Sequence, residues 1–362
     1  MKTGRKILIS IAGIILVCIV LFTIFLLAAQ ALEYKPAPVT QLTDAGEVDT
    51  EPDEQPPAEL HFISWNTGYS GLDKAADFVM EGGKQGIAGS RSVVQENLQA
   101  MISFCSQDQP DVLFLQEVDE HSHRSYNVNQ LSGWLAAFPE YHGWFGINFQ
   151  AFFVPYPLPD PIGEVKSGIL TMSRFPAESA NRYQLPGLYS WPVGLFNLKR
   201  CMVVTNLASP VPGRNWYLVN IHLDAYDATG ILRREQLDFI KSFIMEIYKQ
   251  NHYVVVGGDW NNLFPGIKKE QFAPYTTPEK HLFWVHAIPA DWTPEGWQWA
   301  YDPTVGTSRS LEHPYRKGEN FITVIDGFLL SPNIQLVDIQ GEDLQFAHTD
   351  HNPVRMIVRI KE

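Results

Sequence analysis

The hydrophobic pattern divides the chain into two regimes. From Ile7 to Ala29 no residue carries a charge, and as a helix that run spans roughly 35 Å, enough to cross a bilayer core. Beyond residue 58 short apolar runs alternate with amphipathic stretches. "ELHFISWN" reads as a strand ending at Asn66, and "PDVLFLQEVD" as a buried strand with a polar end at Gln116 and Glu117. "SGILTMS", "CMVVTNLA" and "WYLVNIHLD" are further strands, the last ending at His222 and Asp224. "HYVVVGGDWNN" closes on two glycines and Asp259, "NFITVIDGFLLSP" reads as one strand through Asp326, and "FAHTDHNPVRMIVRI" as a loop entering a last strand. Between them, Val94, Leu98, Met101, Ile102 and Cys105 repeat at helical spacing, as do Leu232, Gln236, Ile240, Ile244 and Ile247. Strands with many turns and a few long helices predict an α/β fold. Its expected form is a four-layer sandwich of two packed, mainly antiparallel sheets flanked by helices and preceded by one transmembrane helix.

Lys2, Arg5 and Lys6 precede the apolar run. By the positive-inside rule residues 1–6 are cytoplasmic, 7–29 anchor the chain in the cell membrane, and the rest is extracytoplasmic. Ala29-Gln30-Ala31 also has the form of a signal-peptide cleavage site, so secretion after cleavage is the alternative. Cys18 follows Val17, which argues against lipoprotein processing. Residues 30–58 are rich in Pro, Asp and Glu and read as a flexible stalk, the alternative being an arm lying on the domain at 59–362.

The net charge of −13 makes the chain a poor generic binder of long duplex DNA, although a local basic patch or a metal can still act on phosphate. Cys105 and Cys201 read as two buried thiols or one disulfide, and no Cys/His spacing suggests zinc. Two segments look irregular: 67–92, rich in glycine, and 282–316, where Trp284, Trp292, Trp297, Trp299 and Tyr301 either frame a substrate or pack a loop.

Five strand ends carry residues suited to metal binding or acid–base chemistry: Asn66, Glu117, His222, Asp259 with Asn261, and Asp350 with His351, while Asp326 lies within a sixth strand. Singly each is an ordinary turn or surface residue; repeated, they form a chemical set. Glu117 and Asp350 offer hard carboxylate oxygens and Asn66 a neutral one, which suits Mg²⁺, with Mn²⁺ or Ca²⁺ as alternatives. Asp259 suits activation of water, with Asn261 fixing the geometry. His351 suits a phosphate oxygen with Asp326 holding its tautomer, and His222 faces the opposite side of the phosphorus.

"SWNTG", "LFLQEVD", "VNIHLD", "VVGGDWN", "VIDGFLLS" and "HTDHNPV", in this order, resemble the endonuclease/exonuclease/phosphatase superfamily over about 60–358. That superfamily includes deoxyribonuclease I-like nucleases, exonuclease III-like repair enzymes, inositol polyphosphate 5-phosphatases and neutral sphingomyelinases. The resemblance implies that Asn66 and Glu117 bind the divalent ion with Asp350 nearby, that Asp259 activates water beside Asn261, and that His351 binds phosphate paired with Asp326. It makes His222 a leaving-group histidine and matches Arg200 to a phosphate-contacting arginine. Two positions depart from the pattern: Thr349 replaces the usual serine before Asp-His, and Gly68 stands where repair-type members carry an acid. The expected activity is hydrolysis of a phosphoester in nucleic acid, phospholipid or a small molecule, without a protein partner. The alternative is an inactive module on the same fold that binds phosphate ligands; an anchored adhesion protein would not need this set of side chains.

Overall fold

In the computed structural model, described for residues 2–46, 48 and 55–361, the apolar runs become two sheets. In chain order the strands are β1 (Val39–Gln41), β2 (Glu59–Asn66), β3 (Val112–Ser122), β4 (His142–Val154), β5 (Gly163–Ser173), β6 (Ala177–Gln184), β7 (Cys201–Ala208) and β8 (Asn215–His222). They continue with β9 (Tyr253–Asp259), β10 (Gln298–Ala300), β11 (Ser308–Arg309), β12 (Ile322–Thr323), β13 (Asp326–Leu330), β14 (Ile334–Gly341) and β15 (Val354–Ile360). One sheet has the order β1-β6-β7-β8-β9-β13-β10 and the other β14-β15-β2-β3-β5-β4. Each is antiparallel except for one central parallel pair, β8 with β9 and β2 with β3.

Strand periodicity explains the layering. In β2, Phe62 points between the sheets, whereas Ile63 and Trp65 point outward. In β9, Val255 points inward and Val254 and Val256 outward, so a continuous valine run is buried on both faces. The outer face of the six-stranded sheet is covered by α2 (Arg91–Asp108) and α3 (Gln130–Ala137) through Val94, Leu98, Met101 and Trp134. The outer face of the other is covered by α4 (Ile231–Lys249) through Leu237, Ile240 and Ile244. The result is the expected α/β/β/α sandwich. Residues 282–301 complete the α4 side: Trp284, Trp292 and Trp297 are buried, and Trp299 stacks edge-on to Trp260 at 4.8 Å. Most of these aromatics therefore pack a loop, although Trp284 also reaches the cleft described below. Cys105 and Cys201 are buried, unpaired thiols in different core clusters.

Three expectations change. β3 does not end at Glu117 but runs on to Ser122, with Glu117 in a bulge where the register against β5 shifts between Leu115 and Val118. The run through Asp326 is not one strand. β12 pairs with β11 in a separate small ribbon, and the backbone N–H groups of Ile325 and Asp326 both donate to Thr307 Oγ1, so β13 begins at Asp326 itself. The stalk expectation also fails for its first half. Glu33 pairs with Lys199 at 3.0 Å, β1 adds to the edge of the sheet against β6, and Asp44 accepts from the Gly143 N–H at 2.8 Å. Edge pairing uses backbone hydrogen bonds, which a polar composition does not forbid. The remainder of the expected stalk falls largely on residues 47 and 49–54, outside the described residues.

Ahead of this arm runs α1 (Lys2–Ala31), long and apolar enough to cross a membrane, a criterion a signal sequence also meets. Its apolar side chains from Ile7 to Leu21 are exposed, but its last turns touch the domain: the Phe25 ring stacks on Phe196 at 5.5 Å and lies 5.7 Å from Phe152.

Candidate active site

Topology brings the polar strand ends together. Because β2 runs parallel to β3 and β8 to β9, Asn66, Glu117, His222 and Asp259 all fall at one edge of the sandwich. The neighbours β13 and β15 run the other way, so the residues at their starts, Asp326 and the preceding Asp350-His351, reach the same edge. Asp326 lies directly opposite Asp259 in the β9–β13 register. Two glycines allow this closeness: a Cβ on Gly258 (φ +134) would sit 2.1 Å from the Ile221 carbonyl oxygen, and one on Gly257 would enter the Phe328 ring.

Asp259 is the hub. Its Oδ2 accepts from Asn66 Nδ2 at 2.9 Å and lies 3.4 Å from His222 Nε2 and 3.8 Å from His351 Nε2. Its Oδ1 accepts from the Asn261 backbone N–H at 2.9 Å, while the Asn261 side chain donates to the Leu223 carbonyl. Burial, then the charge of Asp326, pushes the Asp259 carboxyl up to about 7. His351 Nδ1 lies 2.8 Å from Asp326 Oδ2. A carboxylate can only accept, so Nδ1 carries a proton and Nε2 faces the cleft, 3.4 Å from Ser308 Oγ. Burial opposes charge on this ring, but Asp326 overrides it and holds the imidazole well above its ordinary range. His222 has the opposite environment: burial, reinforced by the nearby Arg200 charge, holds it well below that range. The two imidazoles are therefore driven in opposite directions, His351 toward its charged form and His222 toward its neutral form.

Glu117 is held at φ +55 and Asn261 at φ +47, a region L-residues rarely adopt, and both side chains are thereby turned into the cleft. Burial first, and the nearby Asp350 charge after it, raise the Glu117 carboxyl above its usual range. Asn66, expected to offer an oxygen to the ion, is held by two sets of hydrogen bonds. Its Oδ1 accepts the Gly68 N–H at 3.0 Å, and its Nδ2 bridges Asp259 and Glu117, the latter at 3.4 Å. Thr349 supplies the hydroxyl expected of a serine: it donates to the Asn66 carbonyl and lies 3.1 Å from Asp350 Oδ1. Gly68 sits at φ +48, and a Cβ there would lie 2.7 Å from Asp350 Oδ1, so the position cannot carry an acid in this geometry.

Four buried or part-buried carboxylates thus converge. Asp259, Asp326 and His351 bring ligand atoms within 4.8 Å of one another, but the Asp326–His351 hydrogen bond already occupies that space. Glu117 and Asp350 are the better fit to a cation: both are oxygen donors lining the cleft, and their mutual repulsion calls for one.

The cleft encloses about 360 Å³. Its floor is the polar set above with Arg200, whose buried Nε and Nη1 have no hydrogen-bond partner among the described residues. Its wall is apolar, built by Leu72, Phe78, Phe149, Val154, Leu198 and Leu311. Sequence reasoning missed the wall entirely, and also Ser308, which meets His351 through an isolated bridge from β11, a strand of two residues too short to leave a periodic signal.

A model of the endonuclease/exonuclease/phosphatase family matches residues 63–311. Among solved structures, an endonuclease/exonuclease/phosphatase from Beutenbergia cavernae is 20% identical with a TM-score of 0.54, covering 84% of this chain and 72% of its own. ANGEL2, a 2',3'-cyclic phosphatase solved with adenosine-2',3'-vanadate, is 16% identical over 84% of this chain and 96% of its own, with a TM-score of 0.53. The human Nocturnin catalytic domain with bound sulfate is 15% identical over 85% of this chain and 97% of its own, with a TM-score of 0.51. At these identities the solved structures establish the fold. A search of curated proteins returns no match. The family match covers more than half of the sequence and includes Asn66, Glu117, His222 and Asp259, and the chain belongs to the endonuclease/exonuclease/phosphatase family.

Proposed function

We propose that the protein is a divalent-metal-dependent phosphoesterase held at the membrane by α1, with its catalytic domain outside the cell. The observation that carries this reading is the opposed pair of imidazoles around one buried carboxylate. Both Nε2 atoms lie within 4 Å of Asp259 Oδ2, and their surroundings drive His351 toward its charged form and His222 toward its neutral form. Environments that drive titratable groups apart are how a site keeps acid and base distinct at one pH.

In the proposed reaction a water oxygen bonds to phosphorus as the ester P–O bond breaks. Asp259 takes the water's proton, its basicity near neutrality suiting that task. The Asn261 N–H and the Asn66 amide hold its two oxygens in place. His351, charged and fixed by Asp326, meets a phosphoryl oxygen or protonates the departing one. His222, driven toward its neutral form, serves as a polar partner of Asp259 on the side of the cleft opposite His351. Arg200 offers unpaired N–H groups to the phosphate. Glu117 and Asp350 would hold the divalent ion, which would supply neutralisation of the charge that develops on the phosphoryl oxygens.

Retention of α1 is supported by its contacts. Ala29, in the candidate cleavage site, is buried, and cleavage after Ala31 would remove the Phe25 stack on Phe196. The test uses the full chain in detergent with a soluble chromogenic phosphodiester, Mg²⁺ or EDTA, beside His351→Ala. Turnover abolished by EDTA and lowered about 10²–10⁴-fold in the variant is expected. A folded protein that turns over no phosphoester would overturn the reading in favour of a binding module.

A further inference from the structure

The apolar wall of the cleft and the anchor helix meet in one residue. Phe196 lines the cleft and also stacks on Phe25 of α1 at 5.5 Å with the rings 8° from parallel. Phe152 and Phe153, at the end of β4, flank the same ring of α1 at 5.7 and 6.4 Å. Phe25 lies four residues before the end of the uncharged run at Ala29, about 6 Å along the helix axis. When α1 spans a bilayer, the rim of the cleft therefore stands at the outer boundary of the hydrocarbon, the level at which aromatic residues anchor membrane proteins. The Glu33–Lys199 pair and the β1–β6 pairing fasten the exit of the helix to the domain, so the cleft is not free to swing away on a long tether.

The two loops beside Phe196 point the same way. Residues 155–162 and 185–198 line the cleft with Ile162, Tyr189 and Val193 and turn apolar side chains outward as well. Leu158 is 86% exposed, Trp191 63%, and Leu188 and Tyr156 about half. The exposed stretches of both loops lack lysine and arginine; the second loop runs into Lys199 and Arg200, both buried, Lys199 paired with Glu33 and Arg200 on the cleft floor. A mouth of this kind cannot track a polyanion, which needs cations along the backbone beside its stacking aromatics. It is suited to the interface of a lipid leaflet, where Trp, Tyr and Leu insert.

Building on the phosphoesterase reading above, we infer that the substrate is a membrane phospholipid, drawn from the leaflet in which the anchor ends. Its headgroup phosphate sits on the floor between Arg200 and His351. Its glycerol and proximal acyl carbons lie against Leu72, Phe78, Phe149 and Leu198. The bond broken is the phosphoester between headgroup phosphate and alcohol; water supplies the hydroxyl to phosphorus and the proton to the departing oxygen.

The test reconstitutes the full chain into vesicles of phosphatidylcholine, phosphatidylethanolamine and phosphatidylglycerol with Mg²⁺. It follows lipid hydrolysis alongside soluble single-stranded DNA, RNA and a chromogenic phosphodiester, and repeats each assay with the double variant Leu158→Ser/Trp191→Ser. The expected result is cleavage of a vesicle lipid in preference to nucleic acid. In the double variant lipid turnover falls about tenfold, the equivalent of roughly 1.4 kcal/mol of lost interfacial contact, with chromogenic-diester turnover unchanged. Cleavage of DNA or RNA with lipid untouched, or lipid cleavage indifferent to the double variant, would overturn the inference and leave the phosphoesterase reading standing. No turnover of any substrate, the chromogenic diester included, would overturn both.

Discussion

The floor and the wall of the cleft are built by different rules. Floor residues sit at the ends of central strands or, for Glu117, at a bulge within β3, where parallel pairing of β2 with β3 and of β8 with β9 brings Asn66, Glu117, His222 and Asp259 to a common edge. Wall residues come from segments with no shared register: Leu72 and Phe78 from one loop, Phe149 and Val154 from the far end of β4, Leu311 from beyond α4. The floor is therefore fixed by the sheets, while the wall can vary without disturbing them. Chemistry belongs to the first and choice of substrate to the second, the usual division when a site is carried on a widely used fold.

Substitutions sharpen that division in decreasing order of effect. Asp259→Asn should cost the most, about 10³-fold or more in kcat on every phosphoester, because it removes the base and the acceptor shared by Asn66 and the two imidazoles. Steady-state kinetics check this, with circular dichroism confirming the fold. Asp326→Asn should cost about 10²-fold, again on all substrates, since an amide no longer enforces the Nδ1 proton of His351. Its signature is a His351 resonance that titrates at lower pH than in the wild type, as loss of the acidic partner removes the main cause of its raised basicity.

Gly68→Ala probes the seam between floor and wall. At φ +48 the new Cβ meets Thr349 Oγ1 at 2.6 Å and Asp350 Oδ1 at 2.7 Å. About 1–3 kcal/mol of stability should be lost, with weaker Mg²⁺ affinity, measurable by denaturant titration and calorimetry. A wall change such as Phe78→Ala should act mainly on KM, raising it about tenfold for a substrate with an apolar part, while the floor keeps its kcat.

The smallest effect lies away from the cleft. Asp227 Oδ2 accepts the Leu232 and Arg233 N–H groups at the start of α4, and its Oδ1 the Thr229 N–H and hydroxyl. Asp227→Ala should cost about 1–2 kcal/mol of stability at pH 7 without touching kcat. Burial pushes this carboxyl up, but the hydrogen bonds outweigh it and hold it below its ordinary value. Its stabilisation is thus complete above the unfolded-state value of about 4 and fades as pH falls through the lower folded value. Denaturant midpoints of wild type and variant should converge at acidic pH.

The same contrast explains what the sequence reveals. A polar residue beside an apolar run is a local signal, so Asn66, Glu117, His222, Asp259 and the Asp350-His351 pair are legible as a set, although Glu117 proves to be a bulge inside β3 rather than its end. Asp326 was legible as a residue and not as a boundary, because the break before it is made by Thr307, far from it in sequence. Residues 33–46 read as unordered from composition, yet they are held by edge pairing, the Glu33–Lys199 ion pair and the Asp44 side chain, none of which has a periodic signature. The wall was invisible for the same reason: Leu72 and Leu311 become neighbours only once both sheets are built.

The most direct measurement compares kcat/KM on a soluble chromogenic phosphodiester and on a long-chain phospholipid for wild type, His351→Ala and Phe78→Ala. The account expects His351→Ala to lower both values by a common factor and Phe78→Ala to change their ratio. A floor variant that abolished one activity and spared the other would contradict it.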